Sequence, residues 1–239
     1  TKREIISSDY NKSNDQLLTV SISGVQVWVS ELSGMRLLHE LPFNNEHEIK
    51  QSLFEQSKGE VRLRPINCAT FGETNDVIYL GGMTAKDKNP FFRGQIYRWH
   101  PGKDENLTPL LTGEASSFSE SSFDAIKDKS CSLVDAVVSI QYDEIENRLL
   151  FGDISGTICT YFLKDNKYGV VIPGWGFLKS LTREVNDFKQ IYSEQNHRLS
   201  ISDIRFSNNK GYIVSSAYIG LSQAETGEIR VWNDKTGQP

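Results

Sequence analysis

The chain is poor in the residues that build most catalytic and metal centres: across 239 residues there are four histidines and three cysteines. Cys68, Cys131 and Cys159 lie far apart with no CxxC between them, so a structural zinc or a dithiol redox site has no ligand set. Cys68 and Cys159 fall in apolar strand patterns, where a free thiol behaves as a small hydrophobe, and reduced core cysteines are expected. His39, His47, His100 and His197 contain no H-E-x-x-H, and Glu46-His47-Glu48 reads as a solvated helical turn. No serine sits in G-x-S-x-G. Gly81-Gly82-Met83-Thr84-Ala85-Lys86 lacks the G-x-x-x-x-G-K-[ST] spacing that aims backbone N–H groups at phosphate, and reads as a strand end and loop. Asp143, Glu144 and Glu146 cluster in a tight turn, where charged side chains are expected in water rather than paired for acid–base work. No catalytic residue, metal or cofactor is assigned on these grounds.

Long apolar runs are also missing. Nothing approaches eighteen residues and no signal-peptide pattern is present, which removes a helical membrane span from the reading. Excess positive charge is missing too: the net charge is −5. A broad nucleic-acid or anionic-membrane surface needs concentrated Lys and Arg, so neither partner is expected. Asn11-Lys12-Ser13 and Asn106-Leu107-Thr108 match the glycosylation pattern, which means little without a secretion signal.

What is present is a soluble globular composition, 38% hydrophobic and 24% charged, long enough for one sizeable core. Its distinctive feature is recurrence. From His197 the chain runs through Ile204 and Phe206, the turn Ser207 to Gly211, the apolar run Tyr212-Ile213-Val214 and the pair Ser215-Ser216. Gly227-Glu228-Ile229-Arg230-Val231-Trp232 follows as an alternating strand, closed by the turn Asn233 to Gly237. The unit Gly-x-apolar-x-x-aromatic also begins at Gly94 and Gly156, and Gly24 opens a variant offset by one, ending in Trp28. In each case a short apolar strand precedes it: Gln16 to Ser21, Val77 to Gly82 and Arg148 to Asp153. An opening strand is expected at Arg3 to Ile6, at Ile66 to Phe71 and at Val137 to Tyr142.

This order resembles the WD repeat of β-propeller proteins, and repeats at a fixed period decide a fold before any other signal does. The resemblance implies an all-β fold of WD-repeat-like β-propeller blades in one region spanning 1–239, with repeats near 3–42, 65–112, 133–173 and 197–239. The insertions fall at 43–64, 83–93, 113–132 and 174–196. The fourth repeat lacks its outer strand, so the four are expected to form part of a larger ring, completed by more of the same chain or by a partner. The family's buried network of His, Ser or Thr, Asp and Trp is matched by His197, by Ser215 or Ser216, and by Trp232; its Asp is not found. Trp28 and Trp99 hold the aromatic place in the first two repeats, and Tyr161 replaces Trp in the third. Arg62 and Leu133 stand at the His place in the second and third repeats, which implies a divergent propeller held chiefly by apolar packing.

Three insertions stand out against the blades. The segment 83–93 combines Lys86, Lys88 and Arg93 with Phe91 and Phe92, cations and aromatics suited to an acidic or stacked partner. The segment 116–130 is rich in Ser and charge and reads as a loop. In 178–195, Leu178, Leu181, Val185, Phe188, Ile191 and Tyr192 recur at helical spacing, which predicts one inserted amphipathic helix whose apolar stripe packs on the propeller or on a partner.

The resemblance implies a non-catalytic protein–protein interaction scaffold or assembly subunit, intracellular in the cytoplasm or nucleus, that binds protein partners rather than a small-molecule substrate. Long loops on a rigid frame are where binding residues gather. Two alternatives stay open: the ligand-sensing C-terminal propeller of a signalling or defence NTPase, and a propeller enzyme, for which no catalytic set lies in register.

Overall fold

The computed structural model describes residues 5–21, 23–43, 66–74, 76–84, 93–103, 107–112, 136–154, 156–172, 201–207, 211–219 and 226–235. Among them the chain is all-β and forms four antiparallel sheets. Sheet 1 comprises β1 (Ile5–Asn11), β2 (Gln16–Ser21), β3 (Gly24–Glu31) and β4 (Gly34–Pro42). Sheet 2 comprises β5 (Ile66–Phe71), β6 (Ile78–Thr84), β7 (Arg93–Trp99) and β8 (Thr108–Thr112). Sheet 3 holds β9 (Val137–Asp143), β10 (Arg148–Asp153), β11 (Ile158–Phe162) and β12 (Lys167–Ile172). Sheet 4 has three described strands, β13 (Ile201–Ser207), β14 (Tyr212–Ile219) and β15 (Thr226–Asn233). Every sheet is a meander, strands adjacent in sequence being adjacent in space.

The turns explain why the strands stop where they do. Asp15, Asn147 and Gly211 each precede a second strand in the left-handed conformation, at φ of 54°, 48° and 65°. Asp, Asn and Gly tolerate that region where β-branched residues do not. Tyr142 donates its hydroxyl to Asn147 Oδ1 at 3.0 Å, and Tyr10 does the same to Asp15, so two hairpins are buttoned alike.

Register makes the repeat explicit. Trp28 pairs with Leu17, Trp99 with Ile78, Tyr161 with Leu149 and Trp232 with Ile213. The four aromatics therefore occupy one equivalent position. The opening strands share a β-bulge as well, which leaves Ile6, Asn67, Val138 and Ser202 as the extra residue. A bulge re-aims the strand locally while the rest of the ladder stays in register.

Three apolar layers hold consecutive sheets together. Between sheets 1 and 2, Leu18, Val20, Val25 and Val27 meet Ile66, Phe71, Ile78, Leu80 and Trp99. Between sheets 2 and 3, Cys68, Tyr79 and Ile96 meet Val137, Ile140, Leu149, Phe151 and Tyr161. Between sheets 3 and 4, Leu150 and Ile158 meet Ile201, Ile204, Ile213, Ala217 and Trp232. The rule is uniform: the aromatic-bearing face of each sheet packs on the sheet before it, and the opposite face packs on the sheet after it. The opening strands β1, β5, β9 and β13 lie beside one another in that order.

Close approach at these seams requires small residues. A Cβ on Gly81 would stand 2.6 Å from Val137 Cγ1, and one on Gly152 2.6 Å from Ile201 Cγ2. Glycine at both places lets the first residue of the next sheet seat directly on the backbone. Polar links run across the same seams. Asp9 Oδ2 accepts from Thr70 Oγ1 at 2.9 Å and from the Phe71 amide at 3.0 Å, and Gln141 Oε1 accepts from the Phe206 amide at 2.6 Å. Asp9 and Gln141 are equivalent by register, as are Phe71 and Phe206.

Three expectations are corrected. The opening strand runs on to Asn11 where Ile6 was expected to end it, because Tyr10 and the polar residues Ser7, Ser8 and Asp9 pair with β2 although they lack an apolar run. The segment after β6 begins later than expected, since Met83 and Thr84 complete that strand against Gly94 and Arg93. Asp143 is not solvated: it is 1% exposed. Its carboxylate accepts from Arg148 Nε at 2.9 Å, while Arg148 Nη2 reaches Asp234 at 2.6 Å. The inserted amphipathic helix, with Leu181, Val185 and Phe188, lies outside the described residues, as do the 116–130 loop and Cys131.

Candidate interaction surfaces

In a stack built by one repeated seam, the two ends are the chemically exceptional places. Sheet 1 turns its aromatic-bearing face away from sheet 2, and sheet 4 turns its opposite face away from sheet 3. No strand of sheet 1 makes substantial contact with sheet 4 among the described residues, so the described sheets do not close a ring. The consequence is visible in exposure. On sheet 4, Ile229 is 77% exposed and Val231 51%, flanked by Tyr212. On sheet 1, Ile5 is 60% and Tyr10 54% exposed, beside Met35 and Leu37. Grouped apolar side chains of this size on one sheet face mark a surface that something covers.

The aromatic positions report the same asymmetry. Trp232 is fully buried and donates its indole N–H to Ser215 Oγ at 2.7 Å, with Ser215 equally buried. Trp28 makes the corresponding bond to Thr19 Oγ1 at 3.1 Å, yet its ring is only half-buried. Among the described residues, one has a sheet over it and the other does not. The pattern also settles the serine that the sequence left open. Ser215 serves Trp232, while Ser216 faces the other way and bonds to Ser202 Oγ at 2.8 Å. Trp99 has Leu80 at the place that Thr19 and Ser215 hold in sheets 1 and 4, and it packs among the apolar residues of its seam. Tyr161 places its hydroxyl 3.3 Å from Leu110 O and 3.1 Å from Asn166 Oδ1. His197 lies outside the described residues.

The partner-binding residues expected from sequence fare differently. Lys86, Lys88, Phe91 and Phe92 lie outside the described residues, and Arg93 opens β7 opposite Thr84. Sequence reasoning missed the two open faces. The alternation of Ile229 and Val231 was visible, but alternation marks a face without saying which side is covered. Here the covered side is that of Trp232 and Ile213.

Electrostatics at the seams is structural. Arg148 is wedged between sheets 3 and 4 with its guanidinium over the rings of Phe162 and Phe206. Burial works against its charge, but the hydrogen bonds it donates to Asp234 and Asp143 outweigh it and hold its pKa above the ordinary value. On the open face of sheet 4, Arg205 pairs with Asp203 at 3.3 Å. Burial pushes the Cys68 thiol well up, which removes it as a nucleophile. Between the ends of sheets 1 and 2 a cleft of about 280 Å³ is lined by Asn14, Gln16, Val27, His39, Asp76, Ile78 and Pro101. Its carboxylate, Asp76, is engaged by Lys103 Nζ at 2.7 Å, which lowers its pKa. That arrangement offers polar contacts between the ends of the two sheets.

No family model and no curated protein matches this sequence. Among solved structures, the chain is similar to one described as "Structure of U3-55K", with a TM-score of 0.52 and 11% identity over 98% of this chain and 50% of that one. The likeness shows the fold. U3-55K is a WD40 β-propeller protein, and the four antiparallel meanders described here are arranged like propeller blades. The chain spans half the length of the structure it matches. At this identity the likeness carries no activity or partner across.

Proposed function

We propose that the chain is a non-catalytic protein–protein interaction module of WD-repeat propeller type that works as a subunit of a larger assembly. The observation that carries this reading is the open face of sheet 4, where Ile229, Val231 and Tyr212 stand exposed on one side of an antiparallel ladder. A rigid sheet pays little ordering entropy on binding, so apolar area presented on it converts efficiently into affinity. The likeness to U3-55K, a protein of propeller fold, supports the architecture of the reading.

The test is co-purification from the native cell. The wild-type chain is expected to bring down protein at a fixed stoichiometry, and Ile229→Glu/Val231→Glu to lose it. Wild-type chain recovered free of any stoichiometric protein overturns the module reading. Replacing Phe91, Phe92 and Arg93 together by alanine asks the same of the neighbouring loop, with partner loss expected if that loop also makes contact.

A further inference from the structure

The three seams are built alike except at the end that carries the hairpin turns, where each is closed differently. Register aligns Gln16, Val77 and Arg148, which stand just ahead of Leu17, Ile78 and Leu149, the partners of Trp28, Trp99 and Tyr161. On the following sheet, two residues past its aromatic, come Pro101, Leu163 and Asp234. Between sheets 3 and 4 this place is filled by charge, Arg148 Nη2 meeting Asp234 at 2.6 Å. Between sheets 2 and 3 it is filled by hydrocarbon, with Val77 buried and Leu163 packed on the same apolar cluster. Between sheets 1 and 2 it is filled by neither: Gln16 and Pro101 line the cleft of about 280 Å³. The Gln16 amide oxygen is sealed from water and meets no donor among the described residues. Buried acceptors are nearly always satisfied, so a donor is missing at the wall of the cleft.

We propose that this cleft binds a small, neutral, polyhydroxylated molecule of the sugar or sugar-alcohol class, held by Asn14, Gln16 and His39. Charge selects the neutral class. The carboxylate at the cleft, Asp76, is already engaged by Lys103 Nζ at 2.7 Å, so a cation meets an ammonium in its place and an anion meets the carboxylate. Hydrogen-bond chemistry selects hydroxyls. Asn14 and Gln16 each offer an amide oxygen and an NH2, and a neutral imidazole at His39 offers one donor and one acceptor. A hydroxyl both donates and accepts, and neighbouring hydroxyls on a carbon skeleton satisfy such a set together. The Gln16 amide turns readily about its last bond, which brings its oxygen round to a ligand that donates. Val27 and Ile78, both buried, and Pro101 give the carbon skeleton an apolar wall. His39 is close-packed across the seam: a Cβ on Gly102, in the turn of sheet 2, would stand 3.1 Å from its Cε1. The volume is at the small end for ligand pockets, roughly 300–1,000 Å³, and suits one sugar ring rather than a nucleotide.

The experiment is a titration of the isotope-labelled chain with glucose and, separately, with glycerol, followed by amide chemical shifts, which also show that every variant is folded. Saturable shifts are expected at Gln16, Val27, His39 and Ile78, and none there with sodium acetate or methylammonium chloride. Gln16→Met keeps the length of the side chain and loses the amide, and is expected to weaken binding about tenfold. Gln16→Arg puts a guanidinium where the seam between sheets 3 and 4 has one, fills the cleft, and is expected to abolish binding. A cleft that holds only water gives shifts that are absent or rise linearly without saturating with both probes, which overturns the proposal. Saturation that Gln16→Met leaves unchanged places the ligand elsewhere and overturns it as well. Saturation by acetate or methylammonium in place of the two probes overturns the neutral class.

Discussion

At the scale of single residues, the chain separates side chains held by a covering sheet from equivalent ones without it. Trp232 and Trp28 occupy the same register position and make the same indole hydrogen bond, but only Trp232 is sealed from water. Replacing Trp232 by Phe removes a buried donor from Ser215 and leaves a void, at an expected cost of about 2–4 kcal/mol in urea unfolding. Trp28→Phe, with water able to take over its bond, is expected to cost below ~1 kcal/mol. Equal costs would show that both rings are equally covered in solution. Cys68 makes a second residue-scale case. Its folded thiol stays protonated well above the ordinary value of 9.0, so its contribution to stability is complete below that pH and drains away as pH rises beyond it. In the native chain at neutral pH, Cys68 and Cys159 are expected to resist alkylation, mapped by mass spectrometry, and to react once the chain is unfolded; labelling of either in the folded state would refute the burial.

At the scale of the element, the recurring strand order was legible because turns and aromatics punctuate it. Gly156 and Gly227, with Tyr161 and Trp232 five residues on, mark the third strand of sheets 3 and 4 without any structure in hand. Three things were not legible. The opening strand of sheet 1 hides in Ser7-Ser8-Asp9-Tyr10, because its ladder bonds come from the backbone and its one acid is spent on Thr70 and Phe71 of the next sheet. Asp143 looked like a solvated turn residue because its partners, Arg148 and Asp234, are brought together only when sheets 3 and 4 pack. The open faces escaped for a related reason: a periodic pattern reports a face, and only the packing order reports what lies against it. Arg148→Met tests the clasp. It leaves two carboxylates facing each other out of water and is expected to cost about 3–5 kcal/mol, far more than a surface pair. Gly152→Ala tests the seam beside it, where the added methyl collides with Ile201 and is expected to cost about 1–3 kcal/mol. Thermal melts that leave either variant unchanged would mean that sheets 3 and 4 do not pack as described.

At the scale of the whole molecule, stability follows from how many neighbours each sheet has. In a linear array, each unit is held by its own folding and by the seams on either side, so inner units gain two seams and end units one. Sheets 2 and 3 are the inner units here, and β10, the second strand of sheet 3, is buried at all six positions. Local opening that exposes an amide is therefore expected to be rarest there, where it requires breaking both seams. Hydrogen exchange followed by mass spectrometry checks the order: peptides covering Arg148–Asp153 are expected to exchange slowest, and those covering Gly34–Pro42 and Thr226–Asn233 fastest among the strands. Equal protection of β10 and of the strand bearing Ile229 and Val231 would mean that the end sheets are covered as fully as the inner ones, and the linear array would have to be replaced by a closed one.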